Sequence, residues 1–195
     1  MKKYLLLLIF VVNYTCKAQQ TIPMAMDYTN YLENNNYIKD FDFDLDKFVG
    51  TWKWTSPTNP NTYFEINFFK VLRWNANNIN KFFGDEIFGN YQYVENGNVI
   101  TNTLTWNTSD DLYSTTFPAI MSNCFKPLFK ELLINMRDIG KNKTCKANFD
   151  IIDLNATTLT ATWKLISTDQ IRVGVNLPHV QQGFSIPTDI ILIKQ

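Results

Sequence analysis

Four aspartates at alternate positions, Asp40, Asp42, Asp44 and Asp46, separated by Phe41, Phe43 and Leu45, form the densest set of potential ligands in the chain. Carboxylates at positions 1, 3 and 5 are how a calcium loop begins. That loop also needs a glycine at position 6 and a glutamate at position 12, and neither is present here. The pattern therefore predicts a solvated strand edge, with aspartates facing water and phenylalanines facing in, and no metal site. His179 is the one histidine and sits beside Pro178. A single imidazole builds no His-rich metal centre, and no nucleophile motif accompanies it. Asp85-Glu86 and Asp110-Asp111 are adjacent pairs. Neighbours on a strand point to opposite faces, so neither pair makes a carboxylate dyad. Only 7 glycines occur, with no phosphate-cradling loop among them. The chain is read as a non-enzyme with no catalytic residues and no cofactor.

The three cysteines carry a different chemistry. Lys2 and Lys3 precede an apolar run, Tyr4 to Val12, which is shorter than the about 20 residues a membrane helix needs. Positive start and short apolar run make a signal peptide over residues 1–18. Cys16 follows directly and is a lipidation candidate, with cleavage before it. Ordinary cleavage after Ala18 is the alternative. The first tethers the protein to a membrane through acyl chains, at about 0.8 kcal/mol per buried methylene. The second releases it. The expected location is outside the cytoplasm, as an outer-membrane lipoprotein or as a periplasmic or secreted protein. Cys124 and Cys145 are then left as a disulfide candidate in an oxidising compartment, with two buried free thiols as the alternative.

Net charge is zero, from 18 basic and 18 acidic residues. No basic patch follows the signal, so nucleic acid is excluded as a partner. The chain is 45% hydrophobic and 15% aromatic, enough for one core in one domain. Residues 19–44 form a polar lead-in arm with no clear period, and residues 45–195 form the folded domain. Strand chemistry begins at Val49–Thr55. It continues at Thr62–Leu72, where Phe64, Ile66 and Phe68 share a face. Asn90–Val94 and Val99–Trp106 flank Asn96-Gly97, a strong hairpin signal because both residues accept positive φ. Asn148–Ile152 and Leu159–Leu165 predict a second hairpin, and Ile190–Lys194 a final strand. Between 117 and 143 the period is mixed. Leu128, Phe129, Leu132, Leu133 and Met136 keep helical spacing, which leaves one short helix open. Leu132, Ile134 and Met136 alternate, which favours a strand over Glu131–Arg137 paired with Cys145–Ile152.

Phe48-Val49-Gly50-Thr51-Trp52 resembles the G-x-W signature at the first strand of lipocalins and related calycin barrels. In those families the tryptophan plugs the closed end, and a basic side chain from the last strand crosses its ring. The partner there is usually arginine. Here Trp52 matches the tryptophan, Gly50 the glycine, and Lys194 is the basic residue of the last strand. The resemblance implies an all-β, antiparallel up-and-down barrel, structurally marked by Gly50, Trp52 and Lys194. Such a barrel has room for one small hydrophobic ligand, or is filled by its own side chains. The order of Asp46–Trp52, Glu95-Asn96-Gly97 and Leu159–Leu165 also resembles an uncharacterised family of exported flavobacterial proteins. Two functions follow as expectations. One is an envelope barrel that binds a small hydrophobic molecule. The other is a structural or protein-interaction envelope lipoprotein with a packed interior, whose partner is another envelope protein and which meets the membrane only through an anchor at Cys16.

Overall fold

The computed structural model describes residues 19–24, 36–74, 82–105, 120–122, 130–166 and 183–195. All of its regular structure is β, and there is no helix among the described residues. The strands are β1 (Thr21–Pro23), β2 (Tyr37–Lys39), β3 (Gly50–Thr55), β4 (Tyr63–Trp74), β5 (Phe83–Glu95) and β6 (Asn98–Asn102). They continue as β7 (Ile120–Ser122), β8 (Glu131–Asp138), β9 (Lys143–Ile151), β10 (Thr160–Ile166) and β11 (Asp189–Lys194).

The local chemistry sets the hairpins. Asn96 (φ 51°) and Gly97 (φ 81°) both take the left-handed conformation and join β5 to β6, with Glu95 opposite Asn98. A two-residue turn of this kind matches the twist of its strands. In β8 and β9 the burial alternates strictly, and Ile134 lies opposite Ala147 and Leu132 opposite Phe149. The period of 2 thus wins over the helical spacing at Leu132, Leu133 and Met136. β9 turns back into β10, where Phe149 lies opposite Trp163.

The strands form one sheet in the order β1-β2-β5-β4-β3-β11-β10-β9-β8-β7, and β6 pairs with β5 off that path. The sheet is mixed, which corrects the simple antiparallel up-and-down barrel expected from the sequence. β1 pairs parallel with β2, and β2 pairs parallel with β5. The sheet is not closed into a barrel: β1 and β6 lie at its margins. β7, at one end of the path, also pairs with β5, the third strand from the other end, over two residue pairs, Phe88 with Met121 and Gly89 with Ile120. The reason lies in β5. It is 13 residues long, and its second edge is shared by β2 at 83–84, β7 at 88–89 and β6 at 92–95. Unpaired edge groups invite aggregation, and the arm covers part of that edge. Within the arm, β1 and β2 are thus part of the sheet.

The core is aromatic and is built across the sheet. The Phe149 ring of β9 meets Trp52 of β3 at 4.8 Å and Phe68 of β4 at 5.1 Å, both edge to face. Phe48 reaches the same ring at 6.1 Å. Farther along, Phe64 of β4 meets Trp163 of β10 at 5.6 Å and Tyr91 of β5 at 5.8 Å. Edge-to-face pairs contribute about 0.5–1.5 kcal/mol each beyond the area they bury.

Candidate functional site

One end of the sheet gathers the residues that the sequence singles out. β3 opens on Gly50 at φ 117°, a conformation that side chains other than glycine's rarely adopt. The turn points Trp52 inward, where it is 0% exposed. Its Nε1–H donates to the Phe48 carbonyl at 2.8 Å, so the indole's one polar atom is satisfied. Lys194, at the end of β11, donates from Nζ to the Lys47 carbonyl at 2.9 Å and lies 5.5 Å from the centre of the Trp52 ring. Burial draws the Lys194 ammonium below its ordinary pKa. The three residues come together as a plug, with a cation over an indole. Nothing in this arrangement is poised to react.

Beside the plug, the alternating aspartates take a different form from the predicted edge. Asp40 is 4% exposed, while Phe41 and Phe43 are 46% and 67% exposed. The expected assignment of faces fails at Asp40, Phe41 and Phe43, while Asp42 and Asp46 face water and Leu45 faces in as expected, and the segment is a series of turns and not a strand. The cause is the Asp40 carboxylate. Its Oδ1 accepts from the Asp44 N–H at 2.9 Å and its Oδ2 from the Leu45 N–H at 3.0 Å. That curls the chain, as a capping side chain does. Tight turns follow, with Phe48 N–H donating to the Leu45 carbonyl, and Leu45 and Phe48 enter the core. Lys70 Nζ bridges Asp40 at 2.9 Å and Asp46 at 2.8 Å. Burial works against the Lys70 charge, but the bonds to Asp46 and Asp40 outweigh it and raise its pKa.

Asp85 is the second buried carboxylate of this cluster. It accepts from Tyr37 Oη at 2.6 Å, from the Arg73 N–H at 3.1 Å and from the Asp40 N–H at 3.0 Å. Burial, and then the bond to Asp85, push the Tyr37 phenol well above its usual range. Two carboxylates so fully engaged by donors act as a clasp for residues 36–48. Glu86, next in sequence, is turned to the other face of β5, and burial pushes its pKa up to about 7. Among the described residues no three His, Cys, Asp or Glu side chains gather as a metal centre would need.

At the opposite end of β8, Asp138 is fully buried. It accepts from the Ser185 N–H at 2.7 Å and the Lys141 N–H at 3.2 Å, and from the Ser185 hydroxyl. This latches residues 183–188 onto the β8–β9 turn. Cys145 carries a free, buried thiol, pushed up to about 12 by burial and then by Asp138. Its candidate disulfide partner Cys124 lies outside the described residues, as do Cys16, His179, Asp110, Asp111 and the signal segment. Sequence reasoning missed both clasps. A buried aspartate reads like an exposed one. Asp40 gave no signal either, since it accepts from N–H groups four and five residues on, beyond the two or three of an ordinary cap.

No curated protein and no solved structure matches the chain. A family model matches residues 1–195, and the chain therefore belongs to the family described as a family of unknown function (DUF6705).

Proposed function

We propose that this chain is a lipocalin-like barrel of the cell envelope whose interior is filled by its own side chains. On this reading it acts through its outer surface, as a structural or protein-interaction module, and carries no reaction. The barrel reading is supported by the ring of antiparallel pairings that runs from β5 through β4, β3, β11, β10, β9, β8 and β7 and returns to β5. It is also supported by the Gly50, Trp52 and Lys194 plug. The envelope assignment rests on the leader over residues 1–18, with Cys16 as the lipid-bearing position.

The observation that carries the packed-interior reading is the meeting of rings from strands three or more places apart in the sheet. Phe149 touches Trp52 and Phe68, and Phe64 touches Trp163. A carrier keeps that space for its cargo. Here the side chains occupy it. The test is a native mass spectrum of the protein taken from its own envelope. The expected result is the mass of the chain with any covalent lipid. A discrete extra mass that leaves on denaturation would show a bound small molecule and overturn this reading in favour of a carrier.

A further inference from the structure

The end of the molecule that carries the aspartate clasp exposes large apolar side chains. Phe43 is 67% exposed, Leu72 64% and Phe41 46%. Phe43 also sits at φ 57°, a conformation uncommon for a bulky residue, at the tip of the tight turns after Asp40. The surrounding structure holds a phenyl ring outward against its backbone preference, and strain of this kind persists where a site requires it. Cations lie against these rings: Lys39 Nζ is 4.9 Å from the Phe41 ring centre, and Lys70 Nζ is 5.6 Å from that of Phe43. Leu72 follows Lys70 on the same face of β4.

The chain enters the fold at this same place. Arg73, next to Leu72, donates from its guanidinium to Gln19 Oε1 at 2.7 Å. Gln19 is three residues after Cys16. Three residues reach at most about 10 Å when fully extended. Any acyl chain on Cys16 therefore starts within about that distance of Gln19. We propose that Phe41, Phe43 and Leu72 form a membrane-facing patch that seats this end of the protein on the lipid surface to which its N-terminus is tethered. The tether part rests on the envelope reading above; the orientation rests on the patch. Apolar insertion drives the contact, because the lysines here are matched by Asp40, Asp42, Asp44 and Asp46. Lys70 stays on Asp40 and Asp46, while the Lys39 stem reaches the headgroup level and the rings enter the acyl boundary, as amphipathic side chains do at membrane interfaces.

The test uses the full chain in vesicles of phosphatidylethanolamine and phosphatidylglycerol, doped with a phospholipid that carries a diazirine in its acyl chain. After photolysis, lipid adducts are mapped by mass spectrometry. Adducts on the peptides holding Phe41, Phe43 and Leu72, and none on Ile191 or Ile193, are the expected result. The latter two are exposed isoleucines on β11 and report on simple exposure. Phe43→Ser with Leu72→Ser removes the adducts at Phe41 as well, with the melting temperature kept. Adducts confined to the peptide that begins at Cys16 would leave the tether standing and overturn the patch. Equal labelling at Ile191 and Ile193, or a dimer mass with no lipid at Phe43, would overturn it too. A chain that does not sediment with the vesicles overturns both the tether and the patch.

Discussion

Replacing Trp52 with alanine tests whether the G-x-W end is the plug of the fold. The indole is fully buried, meets Phe149 edge to face at 4.8 Å and spends its N–H on the Phe48 carbonyl. Truncating a buried tryptophan costs about 3–5 kcal/mol, from lost transfer energy and from the cavity left behind. Little collapse is available at this site, since its neighbours Phe48, Phe68 and Phe149 belong to different parts of the sheet. The upper half of that range is expected. For a chain of this size each kcal/mol moves the melting temperature by about 2–4 °C, so Trp52→Ala lowers it by roughly 8–20 °C. Two milder changes divide the effect. Trp52→Phe keeps most of the apolar area and loses the bond to Phe48, for about 1–2 kcal/mol. Lys194→Met keeps the stem and removes the cation, for about 1 kcal/mol. Urea unfolding followed by circular dichroism measures all three. A loss below about 1 kcal/mol for Trp52→Ala would refute the plug, since no buried tryptophan in a rigid core is that cheap to remove.

Other parts of the structure give equally direct tests. Asp85→Asn sets an amide donor either against the Asp40 N–H, at the Oδ2 position, or against the Arg73 N–H, at the Oδ1 position. It costs about 1–3 kcal/mol, and hydrogen exchange should speed up at residues 36–45 while β8 and β9 stay protected. Gly140→Ala places a Cβ 2.5 Å from Ser185 Oγ and should loosen the latch on Asp138, at about 1–3 kcal/mol; an unchanged melting temperature would show that Ser185 is not held there. Glu86 gives a pH test. Its folded pKa, near 7, lies above its unfolded value, so the folded state binds the proton more tightly. Its contribution is fully present below the unfolded pKa and is lost as pH rises toward 7. Glu86→Gln should therefore raise the melting temperature at pH 8 relative to wild type and leave it unchanged at pH 4; equal shifts at both would mean that the carboxyl is not desolvated.

What was legible in the sequence was local. Asn96-Gly97 specifies its turn through backbone sterics, and Leu132, Ile134 and Met136 specify a face by period. Neither depends on distant parts of the chain. The arm was illegible because β1 and β2 are three residues each, too short for any period, and β5, the partner of β2, lies more than 40 residues on in the sequence. β5 hid its role for another reason. Ile87 and Tyr91 are buried on one face and Phe88, Asn90 and Val94 on the other, so the alternation that marks a half-exposed strand is absent. The aspartates misled because their alternation is real in sequence but not in space. Asp40 turns the chain before a strand can form, which sends Phe41 and Phe43 outward. The Gly50 and Trp52 signature located a cluster, while the buried carboxylates that hold its rim had no signature to find.

The position of β11 bears on when this protein can fold. The last strand in the chain lies between β3 and β10, and its Lys194 reaches back to Lys47, 147 residues earlier. Without β11, β5, β4 and β3 meet β10, β9 and β8 through the short pairing of β7 with β5, and the gap between β3 and β10 stays open. Contacts of such high sequence separation fold slowly, because the loop must close before the pairing rewards it. The gap between β3 and β10 therefore closes only when β11, far from β3 in sequence, finds its place.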